Sequence, residues 1–281
     1  MIKHRPSPQV NGADPEEAPR SVHRCRLGDW ETEVLLEGSG PPLLFLHGLG
    51  ATPELSSMEA PSGFRLALPL QRGHGDLDWP TDPSAYGLSA LVADAMSALD
   101  SLGWDRAHVG GTSMGAAVAM RLALDHPERV RNLFLAGPAL SDQPNPDAGI
   151  LVEMAGFLDH PDMARCVEDL LRWQRSRGVP AQMSEAVRRF SAHRPAALRA
   201  ALLRVPRWTA FSGDAELDLL PPTVIVAWPD DPLHPLDLAE RISGRTGAPL
   251  GKAPGLLDVV TDPGCVGRAW PTEAVTEIIK A

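Results

Sequence analysis

Ser113 stands in Gly111-Thr112-Ser113-Met114-Gly115, a G-x-S-x-G sequence between two apolar segments. Ala107-His108-Val109 before it reads as a buried strand, and Ala116 to Leu124 after it reads as a helix. A serine on a sharp strand-to-helix corner has its hydroxyl held clear of the sheet edge, where it is free to act as a nucleophile. Glycines two residues to either side suit such a corner, because a side chain there would collide with neighbouring strands. The free N–H groups and the dipole of the helix start favour negative charge developing beside the hydroxyl.

The elements that would hold Ser113 are marked by apolar runs. Trp30 to Leu36 alternates and reads as an early antiparallel strand. Leu43 to Leu46, Phe64 to Leu70 and Thr223 to Trp228 are short continuous runs of the kind buried on both faces of a parallel sheet. Ser89 to Leu102, Leu236 to Ile242 and Thr272 to Ile279 carry helical spacing. Val259-Val260 is the best candidate for a last strand. Between Ser141 and about Leu220 no strand pattern occurs; Gly149 to Leu158, Met163 to Arg177 and Ser184 to Phe190 read as short helices. Buried strands alternating with helices predict a mostly parallel sheet covered on both faces. Ligands of such sheets bind beyond the strand C-termini, and His47, Ser113 and Asp231 each follow a strand.

Composition excludes several partners. The chain has 281 residues, 43% of them hydrophobic, with a formal net charge of −10. That balance argues against nucleic acid and against an anionic membrane surface. No run is long and apolar enough to span a membrane. Cys25, Cys166 and Cys265 are odd in number and far apart, so they suggest neither a disulfide framework nor a metal site, and a reducing, cytoplasmic setting fits. No phosphate-binding glycine loop, metal-ligand cluster or dinucleotide fingerprint is present, so no cofactor is implied and the expected partner is a small molecule. The sequence does not fix an oligomeric state. Residues 1–22, rich in Pro, Asp, Glu and Arg, are expected to be a disordered leader.

Four motifs together resemble the α/β-hydrolase superfamily, especially its cap-bearing members. They are His-Gly-Leu-Gly from His47, Arg-Gly-His-Gly-Asp from Arg72, Gly-Thr-Ser-Met-Gly from Gly111, and Trp-Pro-Asp-Asp-Pro-Leu-His-Pro from Trp228. The resemblance covers about Trp30 to the last residue and implies an α/β-hydrolase fold. The core would be 23–140 and 221–281, with 141–220 as a helical cap. It implies that Ser113 is the nucleophile and that the backbone N–H groups of Leu49 and Met114 form an oxyanion hole. Asp231 matches the acid of the catalytic triad, with Asp230 as the runner-up. His47, Gly48 and Trp228 are placed at the pocket, with His47 and His74 also ordering loops, and Asp76 is a turn residue.

One departure is large. The superfamily's general base is a histidine after the last strand, and here no histidine follows His234. A serine hydroxyl needs a base within hydrogen-bond reach. Three explanations compete. His234 serves as base from the acid loop, three residues after Asp231. Alternatively, His160 or His193 of the insertion reaches the serine. Otherwise the fold works without an acyl-enzyme, steering a cyclisation, elimination or rearrangement, or only binding a ligand. The favoured expectation is a cofactor-independent serine hydrolase, with Ser113, Asp231 and His234 acting on an ester, thioester or lactone of a small, mainly apolar molecule.

Overall fold

A computed structural model of the chain describes residues 20–28 and 30–281. Eight strands form one sheet: β1 (Ser21–Leu27), β2 (Trp30–Glu37), β3 (Pro42–Leu46), β4 (Arg65–Pro69), β5 (Ala107–Thr112), β6 (Val130–Ala136), β7 (Thr223–Ala227) and β8 (Leu250–Lys252). Their spatial order is β1-β2-β4-β3-β5-β6-β7-β8. β2 runs antiparallel to both β1 and β4, and every later neighbour pair is parallel. β5 and β7 are buried at every position, as strands covered on both faces are; β7 is mainly apolar, and β5 is made of apolar and small residues apart from the buried His108. This is the mostly parallel α/β sheet expected from the sequence.

Helices cover both faces. α1 (Pro53–Glu59) follows β3, α2 (Leu88–Ser101) precedes β5, and α3 (Met114–Asp125) leaves the elbow. Between β6 and β7 the chain runs through α4 (Gly149–Ala155), α5 (Met163–Ser176), α6 (Ser184–Arg188), α7 (Pro195–Arg204) and α8 (Asp214–Leu217). α9 (Leu236–Thr246) follows β7, and α10 (Leu256–Thr261), α11 (Gly264–Arg268) and α12 (Thr272–Lys280) follow β8. One core joins the sheet to α2, α3 and α9 through residues such as Leu99, Val118 and Ile242. The other joins it to the last three helices through Val259, Val266, Trp270 and Val275. The inserted helices α4 to α7 close on a core of their own, with Leu158, Leu170, Phe190 and Leu198 at its centre.

Two expectations are corrected. The proposed leader ends too late: β1 begins at Ser21, so Ser21 and Val22 belong to the sheet, whereas residues 1–19 lie outside the described residues. β1 buries Cys25 and Leu27 while pairing antiparallel with β2. Val259 and Val260 are not a strand but lie in α10, turned onto the sheet; the last strand is Leu250–Lys252. The insertion also holds α7, a further helix of the same helical segment. No helix among the described residues is long and apolar enough to cross a membrane.

Candidate functional site

The corner at Ser113 is tight because three backbones meet there. Ser113 has φ 56° and ψ −112°, one of two non-glycine residues with positive φ among the described residues. Such a conformation costs about 1–3 kcal/mol and persists only where its surroundings enforce it. Ser113 N–H donates to Ala136 O at 3.0 Å, and Ser113 O accepts from Ala117 N–H at 3.2 Å. A Cβ on Gly111 would stand 2.5 Å from Leu46 O, and one on Gly115 would collide with the same carbonyl. Gly48 lies against the elbow; a Cβ there would be 3.5 Å from Ser113 Cβ. Leu49 is thereby brought beside Met114, the first residue of α3.

The loop after β7 carries a coupled acid and imidazole. Asp231 is buried, with its side chain 2% exposed. His234 Nδ1–H donates to Asp231 Oδ2 at 2.6 Å, and Trp228 Nε1–H donates to the same oxygen at 2.8 Å. Leu233 N–H donates to Asp231 Oδ1 at 3.0 Å. A turn closed by His234 N–H on Asp231 O at 3.1 Å puts both side chains on one side. Burial alone would raise the Asp231 carboxyl. The hydrogen bond and charge of His234, then Trp228 and Leu233, outweigh it and hold Asp231 below its ordinary value. A carboxylate on Nδ1 fixes the tautomer that leaves Nε2 as the basic nitrogen. His234 Nε2 is buried and has no hydrogen-bond partner among the described residues. Asp230, the alternative acid, is exposed and occupies the turn at φ 63°. Where the resemblance places a histidine, after β8, Ala253 N–H instead donates to Ala227 O at 2.9 Å and the chain enters α10.

Ser113, Met114, Leu49 and His234 line one cavity of about 110 Å³. The inserted segment supplies Ala148, Leu151, Val205 and Pro206 to the same wall. Asn145 also reaches it, and its Nδ2 donates to Pro232 O at 3.1 Å and Leu233 O at 3.2 Å. The insertion therefore grips the loop that holds Asp231 and His234. Sequence reasoning missed Asn145; its only local signal is the Asn-Pro turn, in which Oδ1 accepts from Asp147 N–H at 2.9 Å.

The cavity wall does not include His47, Gly48 or Trp228, which were expected there. All three are packed one layer below it. Trp228 is 2% exposed and spends its N–H on Asp231, and Gly48 is buried against the elbow. His47 Nδ1–H donates to Gly48 O at 2.8 Å, while Nε2 accepts from Gln71 N–H at 3.0 Å. His74 and His193 act as a pair of clamps on Gly50. Gly50 N–H donates to His74 Nε2 at 2.9 Å, and His193 Nε2–H donates to Gly50 O at 3.1 Å. His193 Nδ1 accepts from Gly75 N–H at 2.8 Å, so neither of its nitrogens is free to serve as a base. His160 is tied at the start of α5 by Asp162 N–H and Arg165.

These buried rings predict acid sensitivity. Burial lowers His47 to about 3, lowers His74 well below its usual value with help from the neighbouring histidines, and lowers His193. Burial likewise lowers His108 to about 4. In the unfolded chain each would take a proton near its ordinary value of about 6.5. Their stabilising contribution is therefore complete above that pH and is lost as pH falls toward the folded values. Glu59 acts in the opposite sense. Burial raises it to about 7 against the Thr112 hydrogen bond at 2.6 Å, so its contribution is full in acid and is lost as pH rises through about 7. Four histidines outweigh one glutamate. Calorimetry is expected to show Tm falling steadily from about pH 6.5 to pH 5. A flat Tm over that range would mean the histidines are not held neutral.

A family model described as the alpha/beta hydrolase fold matches residues 41–248. The chain belongs to the alpha/beta-hydrolase family. Curated proteins similar to it include an Epoxide hydrolase 2 of Siraitia grosvenorii, 40% identical over 107 residues. That match covers 34% of this chain and 32% of the relative. A 2-hydroxymuconate semialdehyde hydrolase of Pseudomonas putida is 32% identical over 128 residues, covering 44% of this chain and 45% of that one. The chain thus aligns with less than half the length of either relative. Among solved structures, a hydrolase from Pseudomonas aeruginosa PA01 superposes with TM-score 0.69 at 24% identity, covering 92% of this chain and 98% of its own. A thermophilic esterase from Thermogutta terrifontis does so with TM-score 0.68 at 21% identity, over 94% and 100%. These likenesses show the fold.

Proposed function

We propose that the protein is a cofactor-independent serine hydrolase of esters, thioesters or lactones of small, mainly apolar molecules. The observation that carries this reading is the Asp231–His234 pair, whose imidazole lines the same cavity as the strained Ser113 and whose Nε2 has no hydrogen-bond partner among the described residues. In this reading His234 Nε2 takes the Ser113 proton as Oγ attacks the carbonyl carbon. The two meet across the cavity once substrate is bound, because catalytic hydrogen bonds tighten in the substrate complex. The imidazolium is stabilised by Asp231, which stays ionised. Leu49 and Met114 N–H groups hold the oxyanion. His234 then gives its proton to the leaving oxygen or sulfur as the acyl-enzyme forms. Water, deprotonated by the same nitrogen, releases the acid and restores Ser113.

The hydrolase names of the curated relatives support the reaction type. The apolar wall supplied by the insertion supports a role for 141–220 as a cap. The buried, unpaired cysteines support a reducing, cytoplasmic setting. The test is intact-mass spectrometry after incubation with a fluorophosphonate. The expected result is one phosphonyl adduct, mapped to the peptide containing Ser113. An unlabelled protein would remove the activated serine and favour non-hydrolytic chemistry or ligand binding.

A further inference from the structure

The cavity also limits what it takes in. We infer that the site accepts an uncharged acyl group of about four carbon atoms or fewer, and discriminates against longer or anionic acyl groups. This inference rests on the serine hydrolase reading and adds the substrate class to it.

Size sets the first limit. A pocket for a drug-sized ligand occupies about 300–1,000 Å³. The cavity here is about 110 Å³. A sealed 150 Å³ apolar cavity holds one benzene, six carbon atoms, so the walled space beside Ser113 holds about four, and its open side is left for the alcohol or thiol of the ester. The carbonyl carbon must touch Ser113 with its oxygen toward Leu49 and Met114, which are themselves part of the wall. What remains is bounded by Leu140, Ala148, Leu151, Val205, Pro206 and Leu233. Val205 is buried against the main core, and Leu151 packs on the core of the insertion. Both walls are backed by packed side chains, so a longer chain must displace them.

Charge sets the second limit. Among the described residues, no Lys, Arg, Asp or Glu lines the cavity. Its polar side chains are Ser113, His234 and Asn145. Asn145 spends its amide on Pro232 O, Leu233 O and Asp147 N–H. A carboxylate on the acyl chain would lose its water and find no cation to replace it.

The experiment is a series of p-nitrophenyl esters: acetate, butanoate, hexanoate, octanoate and hemisuccinate. Butanoate is expected to exceed octanoate and hemisuccinate in kcat/KM by at least about tenfold each. Two variants shift the limit in opposite directions. Leu151→Ala lengthens the space and is expected to narrow the butanoate–octanoate gap by roughly tenfold. Ala148→Val shortens it and moves the optimum toward acetate. Binding is read separately on Ser113→Ala by thermal shift with the same esters, and the same order is expected. Octanoate or hemisuccinate equal to butanoate in either readout overturns the inference. If no ester is hydrolysed by the native protein while Ser113→Ala still binds butanoate over octanoate, the size limit stands and the serine hydrolase reading falls.

Discussion

Replacing His234 by alanine is expected to lower kcat for a short ester by at least about a thousandfold, with KM changed little. That corresponds to about 4 kcal/mol of lost transition-state stabilisation. The expectation follows from the position of one nitrogen. His234 Nδ1–H is committed to Asp231 Oδ2 at 2.6 Å, so Nε2 is the nitrogen that the proposed mechanism uses to exchange protons with Ser113. In the loop after β8 no other imidazole is available, and His47, His74 and His193 have both nitrogens engaged. Asp231→Asn is expected to fall with it, because an amide oxygen and nitrogen on Nδ1 no longer select the useful tautomer. Residues that act as one unit are not additive. Ser113→Ala combined with His234→Ala is therefore expected to be no slower than Ser113→Ala alone. The residual rate of all four would come from the oxyanion donors and binding. Steady-state kinetics of the four proteins decide the point. Activity within tenfold of the native level in His234→Ala would assign proton transfer to another group. Glu59 would be the next residue to change, being buried and bonded to Thr112, the neighbour of Ser113.

What the sequence shows depends on whether the force acts locally. Leu43 to Leu46 and Thr223 to Ala227 are legible because burial on both faces demands an unbroken apolar run. β1 is hidden because its outward positions carry Arg24 and Arg26, so its two buried residues, Cys25 and Leu27, are diluted. β8 is hidden because Leu250-Gly251-Lys252 has no apolar run, whereas the apolar pair Val259-Val260 serves a short helix. Ser113 is legible because its corner is made by residues within two positions of it. The Asp231–His234 pair is legible because a single turn joins them. His193 is not legible, since it reaches Gly50 across 143 residues. Asn145 likewise grips the His234 loop from far away in the chain. Trp228 is not legible as a core residue because the end of a strand offers two faces, and only the fold shows that its ring turns inward over Gly137.

Gly115→Ala is expected to cost about 3 kcal/mol or more of stability and to lower Tm by roughly 5–10 °C. The added methyl has no direction of escape. It would collide with Leu46 O, with Leu46 C at 2.6 Å and His47 O at 2.9 Å. All three are backbone atoms. Leu46 is held in register with Gly111 by the β3–β5 pairing, so β3 does not yield without breaking the centre of the sheet. Relief comes only if α3 lifts from the sheet edge, which carries Met114 N–H and Ser113 with it. Stability and ester hydrolysis should therefore fall together. Gly244→Ala is the control, because this glycine lies within α9 and a Cβ there meets nothing within 4 Å. In a helix interior that exchange is expected to stabilise by about 0.5–1 kcal/mol. Opposite signs in thermal melts of the two variants would show that the elbow is held by close backbone approach. A Gly115→Ala protein as stable and active as the native one would mean that the three backbones do not meet as tightly as this geometry requires.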